Sequence, residues 1–142
     1  MPTFVHGKNA YFALDGTAAS LVSIGDTLND ITMPREIETA ETTAFGDGDK
    51  TYITGLADAT ISLSGMFDST VDTMINGNIA NLKSGSVATL SFEYGPTGSA
   101  GSSPKFTGEA LITSYEIGSP VGDVITYSLE LQVTGGVTAT TF

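Results

Sequence analysis

In residues 57–67 apolar and polar side chains trade places one by one: Ala59, Ile61, Leu63, Gly65 and Phe67 fall on one side, Asp58, Thr60, Ser62 and Ser64 on the other. Residues 124–134 do the same, with Ile125, Tyr127, Leu129, Leu131 and Val133 set against Thr126, Ser128, Glu130 and Gln132. A period of two belongs to extended chain with one face buried and one wet. The fold must therefore be assembled from antiparallel strands whose apolar faces meet. Further strands follow from the same signal. Ala88, Leu90, Phe92 and Tyr94 alternate with Val87, Thr89, Ser91 and Glu93, and residues 106–117 are expected to pair with 124–134 across Gly118, Ser119, Pro120, Val121 and Gly122. Residues 11–14 and 21–24 flank Asp15-Gly16, a dipeptide suited to positive φ, which predicts a first hairpin.

One segment breaks the pattern. In residues 68–84, Val71, Met74, Ile75, Ile79 and Leu82 recur at intervals of three and four, after Asp68 or Ser69 as N-cap and before Gly85 as a left-handed stop. This predicts one amphipathic helix packed on the sheet, with Gly77 a weak point within it. The chain of 142 residues is too short to divide into two well-buried cores. The reading is a mainly β fold, a two-sheet sandwich or barrel with one flanking α-helix, in a single domain spanning 1–142.

Around that core lie segments that read as appendages. Residues 30–43 are extended, with Arg35, Ile37 and Ala40 among Glu36, Glu38 and Thr39, and Pro34 indicates an edge or a bend. Phe45, Gly46, Asp47, Gly48, Asp49 and Lys50 are too rich in Gly and Asp to hold a ladder, which predicts a projecting loop. Residues 95–104, rich in Gly, Ser and Pro, are expected to form a flexible surface loop. Residues 1–10 and, after Gly135-Gly136, residues 135–142 are expected to be arms ordered by a partner.

Chemistry is poorly represented. There is no cysteine, so disulfides and thiolate sites are out. The one histidine, His6, lies in a terminal segment and can build neither a nucleophilic triad nor a multi-histidine metal site. Asp47-Gly48-Asp49 lacks the remaining ligands of a calcium loop, and Gly46-x-Gly48 and Gly95-x-x-Gly98 lack the lysine of a phosphate loop. No catalytic, metal or cofactor site is expected. Paired carboxylates at Glu36 and Glu38, with the Asp47 region, leave a small hydrolase as one alternative, and a carbohydrate- or host-binding module as another, although tryptophan is absent. The start of the chain carries no charged segment and apolar run of a secretory signal, and no apolar stretch approaches the roughly 20 residues of a membrane span. A net charge of −11 repels phosphate backbones and anionic lipid, and Lys8, Arg35, Lys50, Lys83 and Lys105 are scattered singly.

Two ordered motifs carry a resemblance. Glu41-x-Thr43-x-Phe45-Gly46 is followed by Tyr52-Ile53-x-Gly55-Leu56-x-Asp58, and the closing stretch 127–137 agrees as well. Over nearly its whole length the chain resembles the major tail proteins, or tail tube proteins, of long-tailed non-contractile bacteriophages. The resemblance implies hexameric rings stacked into a tube through which genomic DNA passes without specific binding. It also implies a place in the virion tail after synthesis in the host bacterial cytoplasm. Residues 43–55, with Phe45, Gly46, Asp47, Gly48, Asp49, Lys50 and Tyr52, would be the ring-stacking loop, and the termini would join subunits. A tape measure protein and tail terminator and tip proteins would be the partners. In such a tube acidic walls would leave DNA free to slide, and alternation nominates Glu36, Glu38 and Glu130 as lumen-facing.

Overall fold

The computed structural model describes residue 4, residues 6–16 and residues 20–142; most of the expected N-terminal arm before His6 lies outside them. Its strands are β1 (Tyr11–Asp15), β2 (Leu21–Ser23), β3 (Leu28–Thr32), β4 (Arg35–Glu41), β5 (Tyr52–Met66), β6 (Leu90–Gly95), β7 (Pro104–Gly118) and β8 (Thr126–Thr141), with one helix, α1 (Ser69–Ser84), between β5 and β6. The strands form a single antiparallel path in the order β2-β1-β6-β7-β8-β5-β3, and β4 branches from β5. The path curls into a half-barrel, the barrel-like form of the expected β fold, with α1 at its flank.

Alternation decides the faces. Ile61, Leu63, Leu129, Leu131 and Val133 are buried with Phe12, Leu14, Leu90 and Phe92 inside the curl, while Ser62, Ser128 and Glu130 point away. The segment from β2 to β3 crosses the open side of the curl through a short 3-10 turn, Gly25–Thr27. There β5 needs Gly65, because a Cβ at that position would run into the Thr27 carbonyl and the Leu28 backbone. Thr27 also takes up the buried hydroxyl of Tyr127, Oγ1 to Oη at 2.8 Å.

Helix α1 begins and ends as its sequence requires. The Asp68 carboxylate accepts from the Val71 N–H at 3.2 Å, and Gly85 closes the helix at φ 80°. Val71 and Ile75 are buried, and Met74, Ile79 and Leu82 pack against the core. The same face carries Asn78, 1% exposed, whose Nδ2 donates to the Asp15 carbonyl at 2.6 Å and ties the helix to the end of β1.

Several expectations are corrected. The extended segment 30–43 is two strands parted at Met33-Pro34, because proline cannot donate to a ladder. Residues 135–142 are not an arm: β8 runs on to Thr141, pairing Thr138 with Thr107 and Thr141 with Pro104, and a positive φ at Gly135 lets it step through an irregularity in register. Residues 95–104 make defined turns, held in part by that same strand end, since Phe142 N donates to the Ser103 carbonyl at 3.0 Å and Ser102 N to that of Phe142 at 3.2 Å. Tyr52 to Gly55 belong to β5, which leaves only the tip of the expected loop irregular. Ile125, expected inside, precedes β8 and is half-exposed, and Ala88 precedes β6 and is exposed.

Candidate functional site

β4 and the first seven residues of β5 are exposed on both faces, whereas from Ala59 onward β5 joins the core. Among the described residues these two stretches pair only with each other, from Arg35 opposite Ala59 to Glu41 opposite Tyr52, and so form a two-stranded arm that leaves the body. At its root the Thr60 N–H donates to the Pro34 carbonyl at 3.2 Å, and the Arg35 guanidinium carbon lies 6.0 Å from the centre of the Phe106 ring. Midway the register slips, with Gly55 and Leu56 together facing Glu38; the Cβ of Glu38 approaches so closely that any side chain at Gly55 would crowd it. At the tip Thr42 and Thr51 share backbone and side-chain hydrogen bonds, and the Asp47 carboxylate accepts from the Ala44 N–H at 2.6 Å. This local network leaves the Phe45 ring wholly in solvent, 109% exposed. Ile37, Tyr52, Ile53 and Leu56 are also exposed along the arm.

The second surface is the sheet face turned away from the core. The registers place Ser62 opposite Glu130, Glu130 opposite Ser114, Glu116 opposite Ser128, Asp30 opposite Ser64 and Glu36 opposite Asp58. Side chains directly across from one another share a face, so Asp30, Glu36, Asp58, Glu116 and Glu130 line one polar surface on which no Lys or Arg falls among these registered positions. β4 carries no inserted residue, so Glu38 stays on the face of Glu36. Gln132 bridges this surface, its Nε2 donating to the Asp58 carboxylate at 2.6 Å. The sequence thus brought Glu36, Glu38 and Glu130 to one side; Asp58 and Glu116, equally exposed to the alternation argument, join them.

Elsewhere the polar groups serve structure. Tyr115 Oη donates to the Asp72 carboxylate at 2.7 Å, linking β7 to α1, and burial together with that bond and charge raises its phenol well above the usual value. Burial, then the charge of Asp30, raises Tyr94. Glu109 accepts from the hydroxyls of Thr89 and Ser91 at 2.8 and 2.6 Å. Lys105 pairs with Glu93 at 3.7 Å and sits over the Phe142 ring. His6 accepts from the Lys8 N–H at 3.2 Å through Nδ1. Among the described residues no three His, Cys, Asp or Glu gather as metal ligands, and no helix is long and apolar enough to cross a membrane. A cavity of about 600 Å³ lies between α1 and the β1–β2 hairpin; it is lined by Val22, Ile24, Val71 and Met74 among small polar residues, with no aromatic ring.

A curled sheet with a bare arm and an unpartnered polar face is built to be completed by other protein rather than to turn over a substrate. The sequence model of the family described as phage tail tube protein matches residues 15–139, and the chain belongs to that family, which is structural and not enzymatic. Among solved structures the fold is similar to the tail of an empty gene transfer agent particle refined with C6 symmetry, at TM-score 0.75 and 19% identity over 95% of this chain and 98% of that one. It is also similar to a chain of the anti-feeding prophage baseplate (TM-score 0.75, 14% identity, 99% of this chain and 98% of that one). The tail tube of SPP1 is another likeness (TM-score 0.72, 13% identity, 97% and 80%). No curated protein sequence matches.

Proposed function

We propose that copies of this chain close into six-membered rings that stack into a hollow tail tube, with the polar sheet face as its wall. The observation that carries this reading is the face itself: five carboxylates at paired positions with no Lys or Arg directly opposite any of them, Lys105 farther along the same face being taken up by Glu93, and no element among the described residues covering it. Glu36, Glu38 and Glu130 line the lumen with Asp58 and Glu116. Six copies at −11 each make a conduit that repels a passing polyanion, so DNA slides through without specific binding. The free edges at β2 and β3 are covered by ring neighbours, which removes open ladders from solvent. Phe45, Gly46, Asp47, Gly48, Asp49, Lys50 and Tyr52 contact the next ring. The chain works as one domain without a cofactor in the virion tail, after synthesis in the host cytoplasm. Its further partners are a tape measure protein inside the tube and terminator and tip proteins at its ends.

Negative-stain and cryo-electron microscopy of the purified protein should reveal hollow six-fold tubes. Tubes of Glu130→Lys should retain added DNA in a salt-dependent way that wild-type tubes do not. Solid rods, or a channel walled by Lys and Arg, would rule the reading out.

A further inference from the structure

The exposed large apolar side chains do not scatter over the molecule. Leaving aside Phe4, and Leu21 and Val22 on the β2 edge, those among the described residues divide between the two ends of the long strands. One group, Ile37, Phe45, Tyr52, Ile53 and Leu56, lies on the arm. The other, Met66, Ile117, Val121, Val124 and Ile125, lies where β5 and β7 stop and β8 begins. Pairing brings this second group to one end of the sheet, on both of its faces: Met66 lies with Thr126 on the polar face, Ile117 with Tyr127 on the other, and the Phe67 N–H donates to the Ile125 carbonyl at 2.8 Å. Val121, 105% exposed, stands at the tip of the turn, next to Gly122 at φ 82°.

β5 spans from one group to the other, and at about 3.3 Å per residue its 15 residues separate them by roughly 45 Å. Within one subunit the two patches cannot meet. A second copy, displaced along the strands, joins one patch of each: its far end takes the arm of the first, and its own arm remains free for the copy beyond. Such a contact is heterologous and repeats without limit. Arm-to-arm contact would stop at a pair, and both it and arm contact with the β2 edge would leave the Val121 end bare. Apolar patches of this kind on a soluble chain mark interaction surfaces.

We infer that the arm of one subunit seats on the apolar end formed by Met66, Ile117 and residues 121–125 of a subunit in the next ring; this rests on the tube reading above and names the surface that receives the arm. The test is a photoreactive benzoyl-phenylalanine at position 45, or at Leu56 if the first blocks assembly. Assembled tubes are irradiated and the adducts mapped by mass spectrometry. Adducts on Met66 or within 117–125 are expected. Adducts at 21–24, at 4–10 or on another arm, in tubes that still form, would overturn the inference and leave the tube intact. Failure of the unmodified protein to form tubes would overturn both. Independently, Val121→Asp should leave the subunit's melting curve unchanged while raising the concentration needed for tubes at least ten-fold; assembly at the wild-type concentration would refute the assignment.

Discussion

Phe45→Ala separates folding from assembly more cleanly than any other single change. In the isolated subunit the ring is fully in solvent, so its removal takes no apolar area out of the core. Folding stability should change by no more than about 0.5 kcal/mol, as for other surface substitutions. The turn holding it is made of Thr42, Thr51, Asp47 and backbone, none of which is altered. If the tip contacts the next ring as proposed, the ring is covered in the tube, and full burial of a Phe side chain is worth about 1.5–3 kcal/mol. Lost at every added subunit, that energy raises the critical concentration for elongation about 10- to 150-fold, at a factor of ten per 1.4 kcal/mol. The assay is sedimentation of tubes across a concentration series, with urea unfolding of the unassembled subunit beside it. Unchanged critical concentration would show that the tip makes no ring-to-ring contact. A drop in subunit stability above about 1 kcal/mol would show that the arm is part of the core after all.

Asn78→Ala should destabilise the subunit by about 1–3 kcal/mol in urea unfolding, because it strands the Asp15 carbonyl beside a buried void; a loss below 0.5 kcal/mol would refute the role of that bond. Glu36→Gln should stabilise by roughly 0.2–1 kcal/mol at low salt, since it removes a like charge directly opposite Asp58, and the gain should shrink as salt rises. Tyr115 is held protonated in the fold by burial and by Asp72. Its contribution is therefore fully present below the ordinary tyrosine value of about 10 and is lost as pH rises through the raised folded value. Tyr115→Phe, followed by thermal melting at increasing pH, should flatten the decline that the wild type shows above about pH 10.

Much of the body was legible because its signals are local. The alternation in 57–67 and 124–134 assigned the inward faces of Ile61, Leu63, Leu129 and Leu131, and the period of Val71, Met74 and Ile75 with Asp68 and Gly85 bounded the helix. Asn78 was missed because a polar residue on an apolar stripe reads as an interruption, until the carbonyl it serves, 63 residues away, is in place. Gly65 likewise read as an ordinary inward position; only the crossing of Thr27 and Leu28 shows why it must lack a side chain.

The sequence by itself determined which residues share a face and where the helix starts and stops, since those follow from backbone geometry repeated over a few residues. Only the tertiary structure decided what each face meets. Tyr52 to Asp58 stand bare while Ala59, Ile61, Leu63 and Gly65 of the same strand are covered, and Gly135 to Phe142 are tied to β7 and the turns before it rather than free. Whether a strand is covered depends on neighbours distant in the chain, and on the curl that brings them together, and no local period records either.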